Sequence, residues 1–351
     1  MDRTRMFWVH RLLLGMVLLA IPAQAQNFAY VANFGSNSIS VIDTASNTVT
    51  ATVGVGVSPS GVAITPDGTR AYVTDVFSNS VSVIDTASNT VVATVAVADQ
   101  PTGVAITPDG TRAYVTNLAS NSVSVIDTAS NTVVAAVGVL GPIRVSITPD
   151  GTRAYVTNVA SNSISVIDTA SNTVVAAVEV GAFPFGVAIT PDGTRAYVTN
   201  QGSNSLSVVD TASNTVTATI EVGAGPGGVA ITPDGTRAYV MGAPVFVIDT
   251  PSNTVLATVS MGGKEVAITP DGTRAYVTDA FSNSISVIDT ASNTVTATLG
   301  VGVSPSGVAI TPGIGPPTNK NQCKKSGWKV FTIPEKFKNQ GDCISFVETK
   351  R

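Results

Sequence analysis

The chain has 351 residues, of which 44% are hydrophobic and only 12% charged, and its formal net charge is −4. It is long enough for one large or two ordinary domains with a substantial core. The composition is typical of β-structure rich in turns, because Val, Thr, Ser, Ala and Gly are abundant and Leu, Glu and Lys are few. It argues against a helical protein.

The first 25 residues have the pattern of an export signal. Arg3, Arg5 and Arg11 precede an apolar run over residues 12–21, and residues 23–25 (Ala-Gln-Ala) fit the small-residue cleavage pattern. The run is short for a membrane span, although an uncleaved anchor is the alternative. We therefore expect residues 1–25 to be a signal peptide. The mature protein would be secreted, periplasmic or at the cell surface, with no transmembrane span after cleavage.

A repeat of about 42 residues fills the next part of the chain. Its most regular marker is a tyrosine, which recurs at positions 30, 72, 114, 155, 197, 239 and 276. Repeats of this length are typical of propellers and solenoids. Seven tyrosines indicate seven units.

Each unit predicts four short strands, which we call a, b, c and d. In the unit around Tyr72 they are residues 61–65, 70–74, 80–85 and 90–95. Strands a and b are joined by Pro-Asp-Gly, which favours a tight turn, and strands c and d by Asp-Thr-Ala-Ser-Asn, whose polar side chains can bond their own backbone. Four antiparallel strands per unit of this length are typical of a propeller blade.

The two ends of the repeat region complement each other. The region begins with a strand b at residues 28–33 and ends with a lone strand a at residues 307–312. Pairing the last strand with the first three leaves no orphan edge. The predicted fold is therefore all-β: a seven-bladed propeller of four-stranded antiparallel blades over residues 26–312, closed by strand 307–312.

The recurring Tyr-Val-Thr-Asn/Asp, Val-Ile-Asp-Thr and Pro-Asp-Gly segments resemble the YVTN-family β-propeller repeat over residues 28–312. The resemblance implies an exported seven-bladed propeller, and it does not imply a shared catalytic site. The copy at Tyr239 departs from the pattern because it lacks the Ser-Asn-Ser of the b–c loop. We expect a shorter loop in that blade.

The two faces of the predicted ring carry different information. The a–b and c–d turns share one face, which we call the turn face; Pro-Asp-Gly-Thr-Arg occurs there six times and Asp-Thr-Ala/Pro-Ser-Asn seven times. We attribute these residues to turn chemistry and local Asp–Arg pairing. The b–c and d–a loops share the other face, which we call the variable face, and its tips are apolar. The candidate binding residues there are Phe34, Phe77, Leu118, Phe183, Phe185 and Phe281.

Two interpretations of these apolar tips stay open. They either fold inward and fill gaps between blades, or form an exposed patch that binds a partner. The axial channel is expected to be lined by Gly, Ala, Val and Ile, without converging acids or bases. The polar residues that escape the repeat are Asp99, Arg144, Glu179, Glu221, Lys264 and Glu265. Lys264 and Glu265 are neighbours, and we expect both to be solvated.

The chain changes composition after a Gly/Pro linker at residues 313–317. Residues 318–351 hold eight Lys/Arg against three Asp/Glu, whereas residues 26–317 hold eight against 19, so a tail of +5 follows a propeller of −11. The two cysteines, Cys323 and Cys343, most simply form one disulfide in an oxidising compartment. The basic tail could also associate with the cell envelope.

No catalytic site emerges from the sequence. The only histidine, His10, lies inside the signal, and almost all acidic residues occupy repeated turn positions. We therefore predict no enzyme, no metal site and no cofactor, and expect no nucleic-acid binding from a propeller of −11. The favoured function is a non-catalytic scaffold that binds protein or glycan partners. A cofactor-associated or lactonase-like periplasmic enzyme is the alternative.

Overall fold

The computed structural model describes residues 27–312. The signal peptide, its cleavage site, the Gly/Pro linker, the basic tail and the Cys323–Cys343 pairing lie outside the described residues. The described part contains 28 strands and no helix. No segment of it is therefore a helix long and apolar enough to cross a membrane.

The strands fall into the four predicted classes. The a strands are β4 (Pro59–Ile64), β8 (Pro101–Ile106), β12 (Pro142–Ile147), β16 (Pro184–Ile189), β20 (Val229–Ile231), β24 (Val266–Ile268) and β28 (Pro305–Ile310). The b strands are β1 (Phe28–Asn33), β5 (Arg70–Asp75), β9 (Arg112–Asn117), β13 (Arg153–Asn158), β17 (Arg195–Asn200), β21 (Arg237–Val240) and β25 (Arg274–Asp279).

The c strands are β2 (Ser38–Asp43), β6 (Ser80–Asp85), β10 (Ser122–Asp127), β14 (Ser163–Asp168), β18 (Ser205–Asp210), β22 (Val245–Asp249) and β26 (Ser284–Asp289). The d strands are β3 (Thr48–Gly54), β7 (Thr90–Ala96), β11 (Thr132–Gly138), β15 (Thr173–Glu179), β19 (Thr215–Glu221), β23 (Thr254–Val259) and β27 (Thr294–Gly300).

These strands form seven four-stranded antiparallel sheets in the order a-b-c-d, which confirms the predicted propeller. We number the blades so that blade 1 is β28-β1-β2-β3 and blades 2 to 7 follow in chain order. The a strands of neighbouring blades contact one another and surround the axis. The d strands form the outer edge of each blade, and every c–d pair carries a register shift of the β-bulge type, which bends an exposed edge.

The ring closes as the sequence predicts. β28 pairs antiparallel with β1, with Val308 opposite Val31 and Ala309 opposite Tyr30. The closing strand starts at Pro305, two residues earlier than expected, and Thr311 continues the contact by accepting a hydrogen bond from the Phe28 N–H at 2.8 Å.

The core lies between blades and not within them. One cluster combines Tyr72 and Val83 of blade 2 with Val115 of blade 3. An equivalent cluster joins blade 7 to blade 1 across the closure. Both sides of each sheet are covered, so alternating large and small residues in strand c are all buried, as in β6.

The recurring tyrosine links each blade to the next. Its hydroxyl donates to the amide oxygen of the Asn in the next blade's c–d turn, from 2.6 to 2.9 Å, in all seven blades. Burial raises the pKa of Tyr30 and of Tyr72 to about 12, so these hydroxyls stay protonated donors. The last bond of the series runs from Tyr276 to Asn47 and crosses the closure.

The turn face follows the predicted turn chemistry, with one addition. Gly68 has φ of 71° and its N–H bonds the Thr65 carbonyl, as a tight turn requires. The Asn of each c–d turn lies in the left-handed region, Asn47 at φ 53° for example. Its side chain accepts the hydrogen bond from the tyrosine of the preceding blade, a link between blades that the sequence alone did not indicate. The expected Asp–Arg pairing occurs as ion pairs in two blades, Arg70–Asp85 and Arg153–Asp168.

Candidate functional site

The variable face is built from b–c and d–a loops that are tied together by one asparagine. Asn37 has φ of 52° and its Oδ1 accepts the Ser58 N–H at 2.9 Å, twenty-one residues further along the chain. Five other blades have the same bond. This asparagine fixes the loop backbones, so the residues beside it differ between blades without changing the scaffold.

Blade 6 has the shorter b–c hairpin that was predicted. Its strands pair Val240 with Phe246, which leaves five residues beyond the pair, whereas blade 1 pairs Val31 with Ser40 and leaves eight. Met241, fully buried, replaces the threonine that most blades have in strand b.

The six candidate rim residues are divided between exposed and half-buried positions. Phe77, Phe183 and Phe281 are 62%, 60% and 100% exposed, while Phe34, Leu118 and Phe185 are half-buried. The interpretation that these side chains fold inward therefore holds for at most three of the six. Phe34 and Phe77 form an edge-to-face pair with centroids 6.1 Å apart, the one ring pair among the described residues. The structure brings Phe34 and Phe77 into contact, places Phe185 in the channel, and gives Leu118, Phe183 and Phe281 separate positions.

The axial channel differs most from expectation. At the third position of strand a, five blades have glycine: Gly61, Gly103, Gly186, Gly228 and Gly307. Blade 4 has Arg144 there and blade 7 has Glu265. The prediction of a channel without converging acids and bases is therefore wrong.

The glycines show how closely the a strands approach one another. A Cβ on Gly61 would lie 2.7 Å from the Thr102 carbonyl oxygen of the next blade. A Cβ on Gly228 would lie 2.1 Å from Glu265 Oε2, because the Glu265 side chain extends over blade 6. Any side chain at this position must therefore reach into the channel.

Arg144 and Glu265 meet across the channel mouth. Arg144 Nε donates to Glu265 Oε1 at 2.8 Å and Nη2 lies 2.7 Å from the same oxygen, with both side chains 14% exposed. The two blades are three steps apart in a ring of seven. The guanidinium also donates from Nη1 to the Thr102 carbonyl oxygen at 3.2 Å and lies 4.8 Å from the Phe185 ring centroid.

Their backbones are held like those of the glycines. The Arg144 N–H bonds Thr157 Oγ1 at 3.0 Å and the Glu265 N–H bonds Thr278 Oγ1 at 3.1 Å. The Gly61 N–H bonds Thr74 Oγ1 in the same way. The ion pair is therefore added to an unchanged scaffold.

Lys264 precedes Glu265 and points toward blade 1. Its Nζ lies 5.9 Å from the Phe34 ring centroid. Burial lowers the pKa of Lys264 and the Arg144 charge lowers it further, while Glu265 opposes both. The expectation that Lys264 and Glu265 are solvated is wrong, because both are half-buried at the channel mouth. We call Arg144, Glu265, Lys264, Phe34 and Phe185 the channel-mouth cluster.

The other unusual acids behave as expected for surface residues. Asp99, Glu179 and Glu221 are exposed at the loops and strand ends of the variable face. Within residues 27–312, no three His, Cys, Asp or Glu side chains come together as a metal site would require.

The fold is shared with several solved structures. These include hydrazine synthase from Kuenenia stuttgartiensis, 25% identical, which covers 80% of this chain and 99% of that chain with a TM-score of 0.69. The periplasmic gluconolactonase PpgL from Pseudomonas aeruginosa is 20% identical, covers 82% and 99% of the two chains, and has a TM-score of 0.69. The dihydro-heme d1 dehydrogenase NirN is 17% identical, covers 82% and 76%, and has a TM-score of 0.63.

No curated protein matches this chain. The family model described as a YNCE-like beta-propeller matches residues 153–237, from β13 to the start of β21. The seven repeats, the seven blades and this match fit a YVTN-type β-propeller repeat protein, which confirms the resemblance drawn from the sequence.

Proposed function

We propose that this chain is an exported, non-catalytic propeller that binds a protein or glycan partner on its variable face. The observation that carries the proposal is a set of large apolar side chains, outside the repeat, that are exposed on that face. Phe77, Leu140, Phe183 and Phe281 are between 60% and 100% exposed. Three of these four side chains are phenylalanines on one face, and aromatic side chains are enriched where proteins meet. A protein partner is therefore the favoured class.

The backbone of Phe183 supports a role beyond packing. Its φ is 51°, a left-handed conformation that a bulky residue rarely adopts. Other blades have Ser, Gln or Gly at this point of the d–a loop, as at Ser58, Gln100 and Gly225. The loop therefore imposes a left-handed conformation at this point in several blades, and an exposed aromatic side chain there is not required by the turn.

Export is the second part of the proposal and rests on the N-terminal sequence pattern. Expression of the full chain with its natural N-terminus, followed by fractionation and intact-mass measurement, tests it. We expect a mature protein that begins near Gln26 outside the cytoplasm. A full-length cytoplasmic protein would contradict this part.

Capture of partners from a cell-envelope fraction tests the binding part. The rim variant combines Phe77→Ser, Phe183→Gly and Phe281→Ser, and we expect it to lose the proteins that the wild-type chain retains. The matched control combines Val92→Thr, Val134→Thr and Val175→Thr. These valines are exposed on the outer d strands, where blades 1, 5 and 7 already have threonine.

The control separates a specific surface from general stickiness. Equal loss in the rim and control variants, or the same proteins captured by the wild type and the rim variant, would contradict a binding site on the variable face. A glycan array probed with the same proteins separates the two partner classes. Removal of residues 318–351 from each variant reports whether the basic tail contributes.

A lactonase-like or cofactor-associated enzyme is the second candidate, and the channel-mouth cluster is the observation that favours it. An acid and an amine, Glu265 and Lys264, lie together at the channel mouth, as general acid–base chemistry requires. Glu265 is already ion-paired with Arg144, however, and this leaves it poorly placed to accept a proton. Turnover of simple lactones by wild type and its loss in Glu265→Gln would establish this candidate in place of the first.

A further inference from the structure

We propose that the mouth of the axial channel binds a small organic monocarboxylate. Its carboxylate would pair with Lys264 and its apolar part would lie against Phe34. This inference goes beyond the proposed partner surface, because it concerns the channel-mouth cluster and a small ligand.

The first argument is a cation that lacks an acceptor. Lys264 Nζ makes no hydrogen bond or ion pair with any part of the chain that the structure describes; the centroid of the Phe34 ring lies 5.9 Å from it. Half-burial deprives the ammonium of part of its water. A desolvated cation is favourable only with a compensating charge or acceptor. Within residues 27–312 the nearby carboxylate, Glu265, bonds Arg144 instead.

The second argument is the charge of the cluster. Arg144 and Glu265 cancel, so Lys264 leaves one uncompensated positive charge. A monoanion balances that charge, whereas a dianion would meet excess repulsion from Glu265 and from a propeller whose residues 26–317 carry eight Lys/Arg against 19 Asp/Glu. The site therefore selects single negative charge.

The third argument is the surroundings of the cation. Phe34 lies beside Lys264 and in turn contacts Phe77, while Phe185 lies under the guanidinium of Arg144. A ligand with an apolar or aromatic part gains contact there, which a mineral anion does not. The close approach of the a strands at the glycine positions keeps the channel narrow and the ligand small.

Isothermal titration calorimetry on the exported chain tests the proposal. The probes are benzoate, phenylacetate and acetate, with benzamide as the neutral counterpart of benzoate and inorganic phosphate as a mineral anion. We expect benzoate or phenylacetate to bind more tightly than acetate and phosphate, and benzamide to bind at least about tenfold more weakly than benzoate.

Three variants use residues that other blades already have at these positions. Lys264→Ser copies Ser60 and Ser306, and we expect it to weaken benzoate binding about tenfold or more. Glu265→Gly copies five blades, frees Arg144, and should strengthen benzoate binding. The double variant Arg144→Gly/Glu265→Gly keeps the net charge but removes the guanidinium that lies on Phe185, and we expect it to bind benzoate more weakly than Glu265→Gly.

Arg112→Gln, on the turn face, removes one positive charge far from the mouth and should leave binding unchanged. Thermal unfolding monitored by circular dichroism confirms that each variant is folded. Equal binding of benzoate and benzamide, equal benzoate affinity of wild type and Lys264→Ser, or no binding of any carboxylate to wild type would each overturn the proposal. The Phe183→Gly/Phe281→Ser pair keeps Phe77, which contacts Phe34, and should retain benzoate binding while it loses the captured proteins. This pair therefore distinguishes failure of this site from failure of the partner surface.

Discussion

On the turn face, the recurring side chains bond structural partners, whereas on the variable face and at the channel mouth several side chains that depart from the repeat do not. Asp67 accepts from the Thr65 hydroxyl and the Thr69 N–H, and the asparagines of the c–d turns accept from the tyrosines of the preceding blades. Phe183 and Phe281 are exposed, and Lys264 has an aromatic ring beside it in place of an acceptor.

The comparison shows how a repeat protein separates stability from recognition. Because seven copies of one turn stabilise the ring, selection for the fold acts equally on all of them. A functional site must be asymmetric, so it appears as departures from the repeat. In this chain the departures gather on one face and at one end of the channel.

Of the changes considered, removal of the closing strand β28 should have the largest effect on the stability of the protein. A chain ending at Gly300 lacks β28, exposes the edge of β1 and breaks the core cluster between blades 7 and 1. We expect loss of cooperative unfolding and aggregation through the open edge, measured by circular dichroism and light scattering. A chain ending at Pro312 retains β28 and should unfold cooperatively. If the two chains behave alike, the stability of the ring does not depend on closure.

A second prediction concerns Asp75, which occupies a buried position where four blades have asparagine. Burial raises its pKa to about 6, although the hydrogen bond from Ser82 opposes the shift. The folded state therefore binds a proton more tightly than the unfolded state, and Asp75 lowers stability as pH rises from about 4 to about 6. Asp75→Asn should raise the free energy of unfolding by about 3 kcal/mol above pH 6 and give no gain below about pH 4.

Asp279, at the same position in blade 7, is the matched control. Burial raises its pKa, but hydrogen bonds from Ser282 and the Phe281 N–H outweigh burial and leave the pKa below its usual value. Asp279→Asn should therefore give no stabilisation at neutral pH. Urea unfolding from pH 4 to 8 measures both variants, and a gain of similar size in each would contradict the assignment to Asp75.

The smallest effect is expected at the links between blades. Tyr276→Phe removes the hydroxyl that bonds Asn47 across the closure, at a cost of about 1 kcal/mol. Tyr155→Phe removes the same bond, to Asn214, in the middle of the chain. Equal losses of stability in thermal unfolding would show that the contact between blades 7 and 1 resembles the other contacts between blades. A much larger loss of stability for Tyr276→Phe would show that the contact between blades 7 and 1 is the weakest in the ring.

Much of the structure follows from the sequence because the signals are local and repeated seven times. Pro-Asp-Gly presets a turn through one proline and one glycine, and the alternation in strands such as Ser80–Asp85 sets which side of the sheet each residue faces. The repeat region begins with a strand b and ends with a lone strand a, and this order predicts that the two ends pair and close the ring. Arg144 and Glu265 were also visible as polar residues that escape the repeat, although their position in the channel was not predicted.

Tertiary structure decided what those departures do. Arg144 and Glu265 are 121 residues apart, and only the radius of a seven-membered ring brings their side chains within hydrogen-bond distance. Whether Phe281 is exposed and Phe185 half-buried depends on how the loops are tied by their asparagines, which no local pattern specifies. The sequence by itself determined the blades and their number, because these depend on neighbouring residues, and its first and last strands predicted the closure. The contents of the channel depend on contacts between distant blades, and these exist only in the folded ring.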